Sequence, residues 1–117
     1  MRVTLVYPRF PDPENAYKVP PLGLAYLLAY LRAYFPYSLK LAVVDASAMN
    51  LGVEATFDHV KATEPNVLGI SVMTPQADFA YALTKLTKEW DTRIVVVHGG
   101  AHVSALPQFS LQAGADY

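Results

Sequence analysis

Four mostly apolar runs punctuate the chain, at Arg2–Tyr7, Leu39–Val44, Val67–Val72 and Arg93–His98, the last with no polar residue between Ile94 and Val97. Runs rich in β-branched residues, with no polar alternation, suit short strands buried on both faces. Between them the apolar positions recur at helical spacing. Leu24, Leu27, Leu28, Leu31 and Phe35 form one such face, opened by Pro20-Pro21 and stopped by Pro36. Val53, Phe57 and Val60 mark a second helix over about 53–63. A third runs from Gln76 to about Trp90 and turns Phe79, Leu83, Leu86 and Trp90 toward the sheet, with Thr74 as its N-cap and Pro75 in its first turn. A last short helix starts near Pro107 and ends before Gly114, which suits a left-handed C-cap. Ala115-Asp116-Tyr117 then leads into a fifth strand that the chain barely begins.

Strands alternating with helices imply right-handed βαβ crossovers. The pattern therefore predicts an α/β three-layer sandwich, with a parallel, Rossmann-like sheet of the flavodoxin type. The expected strand order is 2-1-3-4, with the fifth strand truncated, and residues 1–117 form one domain. The switch point falls between strands one and three. The Pro8–Lys18 loop, Ser71–Thr74 and His98–His102 should then line one crevice at the C-terminal ends of the strands. Asp45 ends an outer strand and, with Ser47 and Asn50, reads as a cap for the next helix.

Composition narrows the function. Hydrophobic residues make up 53% of the 117, enough for a packed core. The formal charge is −1 and no basic cluster occurs, which argues against nucleic acid as a partner. No apolar run reaches the ~20 residues that span a bilayer, and no secretory signal opens the chain. The reading is a soluble, cytoplasmic domain. With no cysteine, the chain itself offers no thiolate metal site and no iron–sulfur ligand. Tyr26, Tyr30 and Tyr34 form a second stripe on the first helix, expected at the surface with hydroxyls in water; the alternative is a docking face.

The crevice lacks the acidic residues of a phospho-acceptor receiver, since strand three ends Ile70-Ser71-Val72-Met73 and strand one ends Val6-Tyr7-Pro8. Prolines stand where a flavodoxin has its phosphate loop, and a Gly-x-Gly-x-x-Gly turn is missing there too. What remains is hydroxyls and bare backbone: Ser71, Thr74, Gly99, Gly100 and Ser104. That set suits a large, mostly apolar ligand with a polar tail, and no charged catalytic pair stands out. His59 is expected to be exposed on its helix. His98 and His102 flank the glycines; a structural hydrogen bond beside the ligand is favoured for them over a metal or catalytic role. Asp12 and Glu14 in the first loop are too few to hold a metal. Gly100→Trp is expected to block the ligand while leaving the fold intact.

Several segments resemble the N-terminal cobalamin-binding domain of the cobalamin-dependent radical S-adenosylmethionine family. Pro20-Pro21-Leu22-Gly23-Leu24-Ala25-Tyr26-Leu27 is similar to the opening of that domain's first helix. Pro65-Asn66-Val67-Leu68-Gly69-Ile70-Ser71-Val72-Met73-Thr74 resembles its third-strand segment. Gly99-Gly100-Ala101-His102-Val103-Ser104-Ala105-Leu106-Pro107 resembles its Gly-Gly-Pro-His-x-Ser-x-Leu-Pro segment, with Ala101 in place of proline. Gly114-Ala115-Asp116-Tyr117 matches the Gly-x-Asp-Tyr before its fifth strand. The resemblance implies that Ser71, Met73, Thr74, Gly99, Gly100, His102 and Ser104 bind the cofactor, chiefly its nucleotide tail. No histidine precedes His59, so the cobalt would lack the first-loop histidine that other cobalamin domains use; metal binding would come only through the cofactor.

The family's iron–sulfur cluster and S-adenosylmethionine would belong to a downstream radical domain, absent from this chain. The parent's chemistry would be methyl transfer or ring or skeletal modification, with this fragment alone not catalytic. The rival reading is a non-catalytic α/β interaction or assembly module, self-associating through an uncovered fourth strand. An enzyme built on His98 and His102 ranks last.

Overall fold

The computed structural model describes residues 1–12 and 20–117, so Glu14 and Lys18 of the first loop lie outside the described residues. In order come β1 (Arg2–Tyr7), α1 (Leu22–Tyr34), β2 (Lys40–Asp45), α2 (Val53–Thr63), β3 (Val67–Ser71), a 3₁₀ turn (Thr74–Gln76), α3 (Ala77–Trp90), β4 (Val95–Gly99), α4 (Ala101–Ala105) and α5 (Pro107–Gln112). The strands pair in parallel in the order β2-β1-β3-β4, as the alternating pattern predicts. Helix α4 is one the sequence pattern does not announce, because five residues are too few to show a period. None of the described helices is long and apolar enough to cross a membrane.

The two faces of the sheet are covered unequally. One carries Val6, Val44, Leu68, Ile70 and Val96, packed against Val60 of α2 and Ala80 and Leu83 of α3. The other carries Val3, Leu5 and Tyr7, packed against Leu24 of α1. The helix stripes that do this packing differ from those expected. On α3 the buried residues are Ala77, Ala80, Leu83, Thr84 and Thr87. Phe79 and Leu86 are only half-buried, and Trp90 lies at the rim with its ring edge-on to Phe57, centroids 6.0 Å apart. Small side chains let the helix axis approach the sheet, and the buried threonines return their hydroxyls to the helix. Thr84 Oγ1 donates to Ala80 O and Thr87 Oγ1 to Leu83 O, each at 2.8 Å. On α1 only Leu24 is buried. Leu28 and Leu31 are half-buried and Leu27 is 44% exposed, while Phe35 sits beyond the last helical turn and leaves the face. Tyr26, Tyr30 and Tyr34 are exposed as expected.

Three local expectations are corrected. Thr74 does not cap α3: Met73 N donates to Gln76 Oε1 at 3.2 Å, and the Thr74 hydroxyl is used elsewhere. Asp45 caps a turn, accepting from Ala48 N at 2.9 Å, and α2 starts only after Gly52. The outer edge of β4 is partly occupied. Asp116 N donates to Val96 O at 2.8 Å and His98 N donates to Tyr117 O at 2.9 Å, so the last residues run along that edge. The Asp116 carboxylate also accepts from Val96 N and from Lys88, and the Lys88 ammonium holds its carboxyl below the usual range. Gly114 takes φ 101°, the left-handed conformation expected of a C-cap.

His98 is a buried titratable group on the α2–α3 side of the sheet. Its Nε2 lies 2.7 Å from Thr84 Oγ1, whose own hydrogen goes to Ala80 O. Nε2 therefore carries the proton and donates, leaving Nδ1 bare, buried and without a partner among the described residues. A second proton would have nowhere to bond, and burial pulls the imidazole down to about 4. An unfolded histidine titrates near ~6.5, so the unfolded chain binds the proton first. Stability is then full above pH ~6.5 and falls as pH drops toward 4. Denaturant midpoints measured across this window should fall more steeply for the wild type than for His98→Gln. Parallel profiles would contradict the assignment.

Candidate functional site

The less covered face of the sheet holds a groove of about 300 Å³. Its position follows from register. Leu5, Gly69 and Val97 lie side by side across β1, β3 and β4, and Ser71 pairs with Gly99 one step nearer the C-terminal edge. Two glycines in that patch leave the sheet surface low. Leu24 and Leu27 of α1 wall one side, and Gly99 and Gly100 close the C-terminal end. The floor is low for two different reasons. A Cβ on Gly69 would meet Leu5 Cδ2 at 2.7 Å, so the absent side chain makes room for the leucine. A Cβ on Gly99 would meet nothing within 4 Å and would point into open space. Gly100 serves the backbone instead: it has φ 107°, and a Cβ there would lie 2.8 Å from Val72 O. Gly100→Trp would therefore strain the loop as well as the site, contrary to the expectation that it leaves the fold intact.

The residues expected to share one site divide into two groups. Ser71, Gly99 and Gly100 line the groove. Met73 is exposed beyond the end of β3, at 44%. Thr74 and His102 are bonded to each other and to α3. His102 is buried, with Nδ1 3.2 Å from Thr74 Oγ1 and Nε2 2.8 Å from Tyr81 OH. The Ser104 hydroxyl reaches Gly100 O at 3.3 Å. His98 faces Thr84 on the α3 side, and His59 is exposed on α2. The groove residues missed in the sequence include Leu5, Gly69, Val97, Leu24 and Leu27. Gly69 carried a signal, since a glycine inside a strand marks close approach.

Other hollows are larger but chemically less open. One of about 540 Å³ lies at the opposite end of the strands, beside Arg2, Trp90 and Arg93. Its charges are already matched: Arg93 meets Asp91 at 2.8 Å, and Arg2 bonds the Glu64 carbonyl. Another, of about 560 Å³, is the outer seam between α2 and α3. Among the described residues, the groove combines the C-terminal strand ends, an apolar wall and an open glycine floor. Burial pushes the Tyr7 phenol at the end of β1 above its ordinary value. Among the described residues no three His, Asp or Glu side chains converge as a metal site. The arrangement can bind and orient an apolar ring; it presents no acid–base pair.

An uncharacterized methyltransferase of Pyrococcus horikoshii is 30% identical over 118 residues, covering 96% of this chain and 24% of that protein. An anaerobic magnesium-protoporphyrin IX monomethyl ester cyclase of Rubrivivax gelatinosus is 31% identical over 104 residues, covering 87% of this chain and 18% of that protein. The chain thus spans a quarter or less of the length of these relatives. A crystal structure of a cobalamin-binding protein from Desulfitobacterium hafniense shares the fold, with a TM-score of 0.69 at 19% identity over 98% of this chain and 50% of that one. The B12 binding domain family matches residues 14–117. With that match over nearly its whole length, the chain belongs to the B12-binding domain family.

Proposed function

We propose that this chain holds cobalamin for a longer radical S-adenosylmethionine enzyme, with the cofactor's nucleotide tail lying in the groove over Gly69 and Gly99. The observation that carries this reading is the open floor at Gly99, at the C-terminal ends of β3 and β4. The residues present fit such a tail. A planar heterocycle needs an apolar slot, and Leu5, Leu24, Leu27 and Val97 supply its walls. Ser71 offers the hydroxyl that orients it. Bound cobalamin would supply a cobalt centre able to carry a methyl group or tune a radical step.

The chain's own part is binding and orientation. Ser71, Gly99 and Gly100 would meet the tail, and Met73 would stand at the rim beyond β3. Thr74, His102 and Ser104 would brace the loop that carries the glycines, through Tyr81 and the Gly100 carbonyl. No histidine before His59 exists to reach the cobalt from the first loop. The iron–sulfur cluster, S-adenosylmethionine and the reaction itself would lie in the remainder of the parent protein. Its chemistry would be methyl transfer or ring or skeletal modification.

A second reading, a non-catalytic interaction module, is favoured by one observation. Helix α1 exposes Leu22, Tyr26, Tyr30 and Tyr34, an apolar surface that soluble monomers cover. Hydroxocobalamin separates the two readings. Co-elution on gel filtration with a shifted visible spectrum supports the first. Absence of both, with concentration-dependent self-association, supports the second.

Two glycine variants locate the site. Gly99→Leu should keep the wild-type thermal midpoint and weaken hydroxocobalamin binding by about tenfold or more, because it fills the groove floor. Gly100→Ala should lose about 1–3 kcal/mol of stability from backbone strain. Undiminished binding by folded Gly99→Leu would place the ligand elsewhere.

A further inference from the structure

We infer that the groove selects corrinoids by their lower base, favouring a benzimidazole over an adenine. The inference rests on the cobalamin reading above and extends it to ligand choice. Of the described side chains lining the groove, only Ser71 carries a polar group. The nearby carbonyls are already engaged. Gly99 O accepts from Val72 N at 2.7 Å, and Gly100 O accepts from Ser104 N at 3.2 Å and from the Ser104 hydroxyl at 3.3 Å. A ring lying against Leu5, Leu24, Leu27 and Val97 would therefore find, among the described side chains, one free hydroxyl and otherwise hydrocarbon.

A benzimidazole suits such a slot, since its only polar atoms are the two nitrogens of its five-membered ring. An adenine adds two ring nitrogens and an exocyclic amine. Ser71 can satisfy one of these, and the others would lose their water without replacement. A buried polar group left unpaired weakens binding by about fivefold or more. Discrimination here comes from what the groove withholds rather than from a contact it makes.

Leu27 is the position from which the preference can be reversed. It lines the groove from α1, is 44% exposed and tolerates a polar helix former. A Leu27→Gln amide would offer a donor and an acceptor to an adenine edge.

The test compares hydroxocobalamin, its adenine-base analogue and cobinamide, which lacks the nucleotide, by equilibrium dialysis against the full chain. The expected order is cobalamin tightest, with the adenine analogue about fivefold or more weaker, and Leu27→Gln narrowing that gap. Equal affinity for the two complete corrinoids, with cobinamide much weaker, would overturn base selection and leave the cobalamin reading standing. Cobinamide binding as tightly as cobalamin would show that no base enters the groove, and would overturn both the selection and the placement of the tail. Binding of none of the three would overturn the cobalamin reading and this inference with it.

Discussion

The groove depends on one backbone crossing, where the ends of β3 and β4 are pinned together. Val72 N donates to Gly99 O at 2.7 Å, and His102 N donates to Val72 O at 3.2 Å. Gly100 sits so close to Val72 that no side chain fits between them. This contact continues the β3–β4 pairing past the last strand residues and then turns the chain sharply into α4. It fixes where Gly99 lies and therefore where the open end of the groove lies. Thr74, Tyr81 and His102 clamp the crossing from the α3 side through side-chain hydrogen bonds. The groove is thus built by backbone and by the absence of side chains, with its bracing on the other side of the sheet.

That division explains why the two faces of the sheet differ in composition. The α2–α3 side is packed with Leu68, Leu83, Val72 and Val96, and the hydroxyls of Thr84 and Thr87 are bonded within α3. It provides rigidity. The α1 side has glycines at Gly69 and Gly99 and one helix contributing a single buried leucine. A ligand on that side meets a surface already held from behind, so little ordering is needed at binding. The neutral His98 belongs to the rigid side, and its buried, unpaired Nδ1 is consistent with a structural part.

The fold was legible because its signals are coarse: four apolar runs, separated by helical spacings, force parallel order and a switch point. The helix α2 was read with its observed bounds, Val53–Thr63. The α3 stripe was read in part: Leu83 is fully buried and Phe79 packs against the core, but Leu86 is half-buried and Trp90 stands at the rim. Close helix–sheet packing also selects Ala80, Thr84 and Thr87 beside Leu83, and no hydrophobicity pattern singles out the two threonines. In the site, glycines were easy to notice and hard to interpret. Gly99 and Gly100 are adjacent and look alike, yet one opens space and the other permits a backbone angle. Only coordinates separate those roles. His102 was placed near a ligand by its distance from the glycines along the chain, and its hydrogen bonds to Tyr81 and Thr74 depend on contacts that sequence spacing does not report.

The most direct test of the account maps the bound ligand onto the backbone. Amide chemical shifts recorded during titration with hydroxocobalamin should move at Gly69, Val97, Gly99 and Gly100, with little change at Arg2, Trp90 and Arg93 at the opposite end of the strands. Shifts confined to that opposite end, or to the α2–α3 seam, would contradict it.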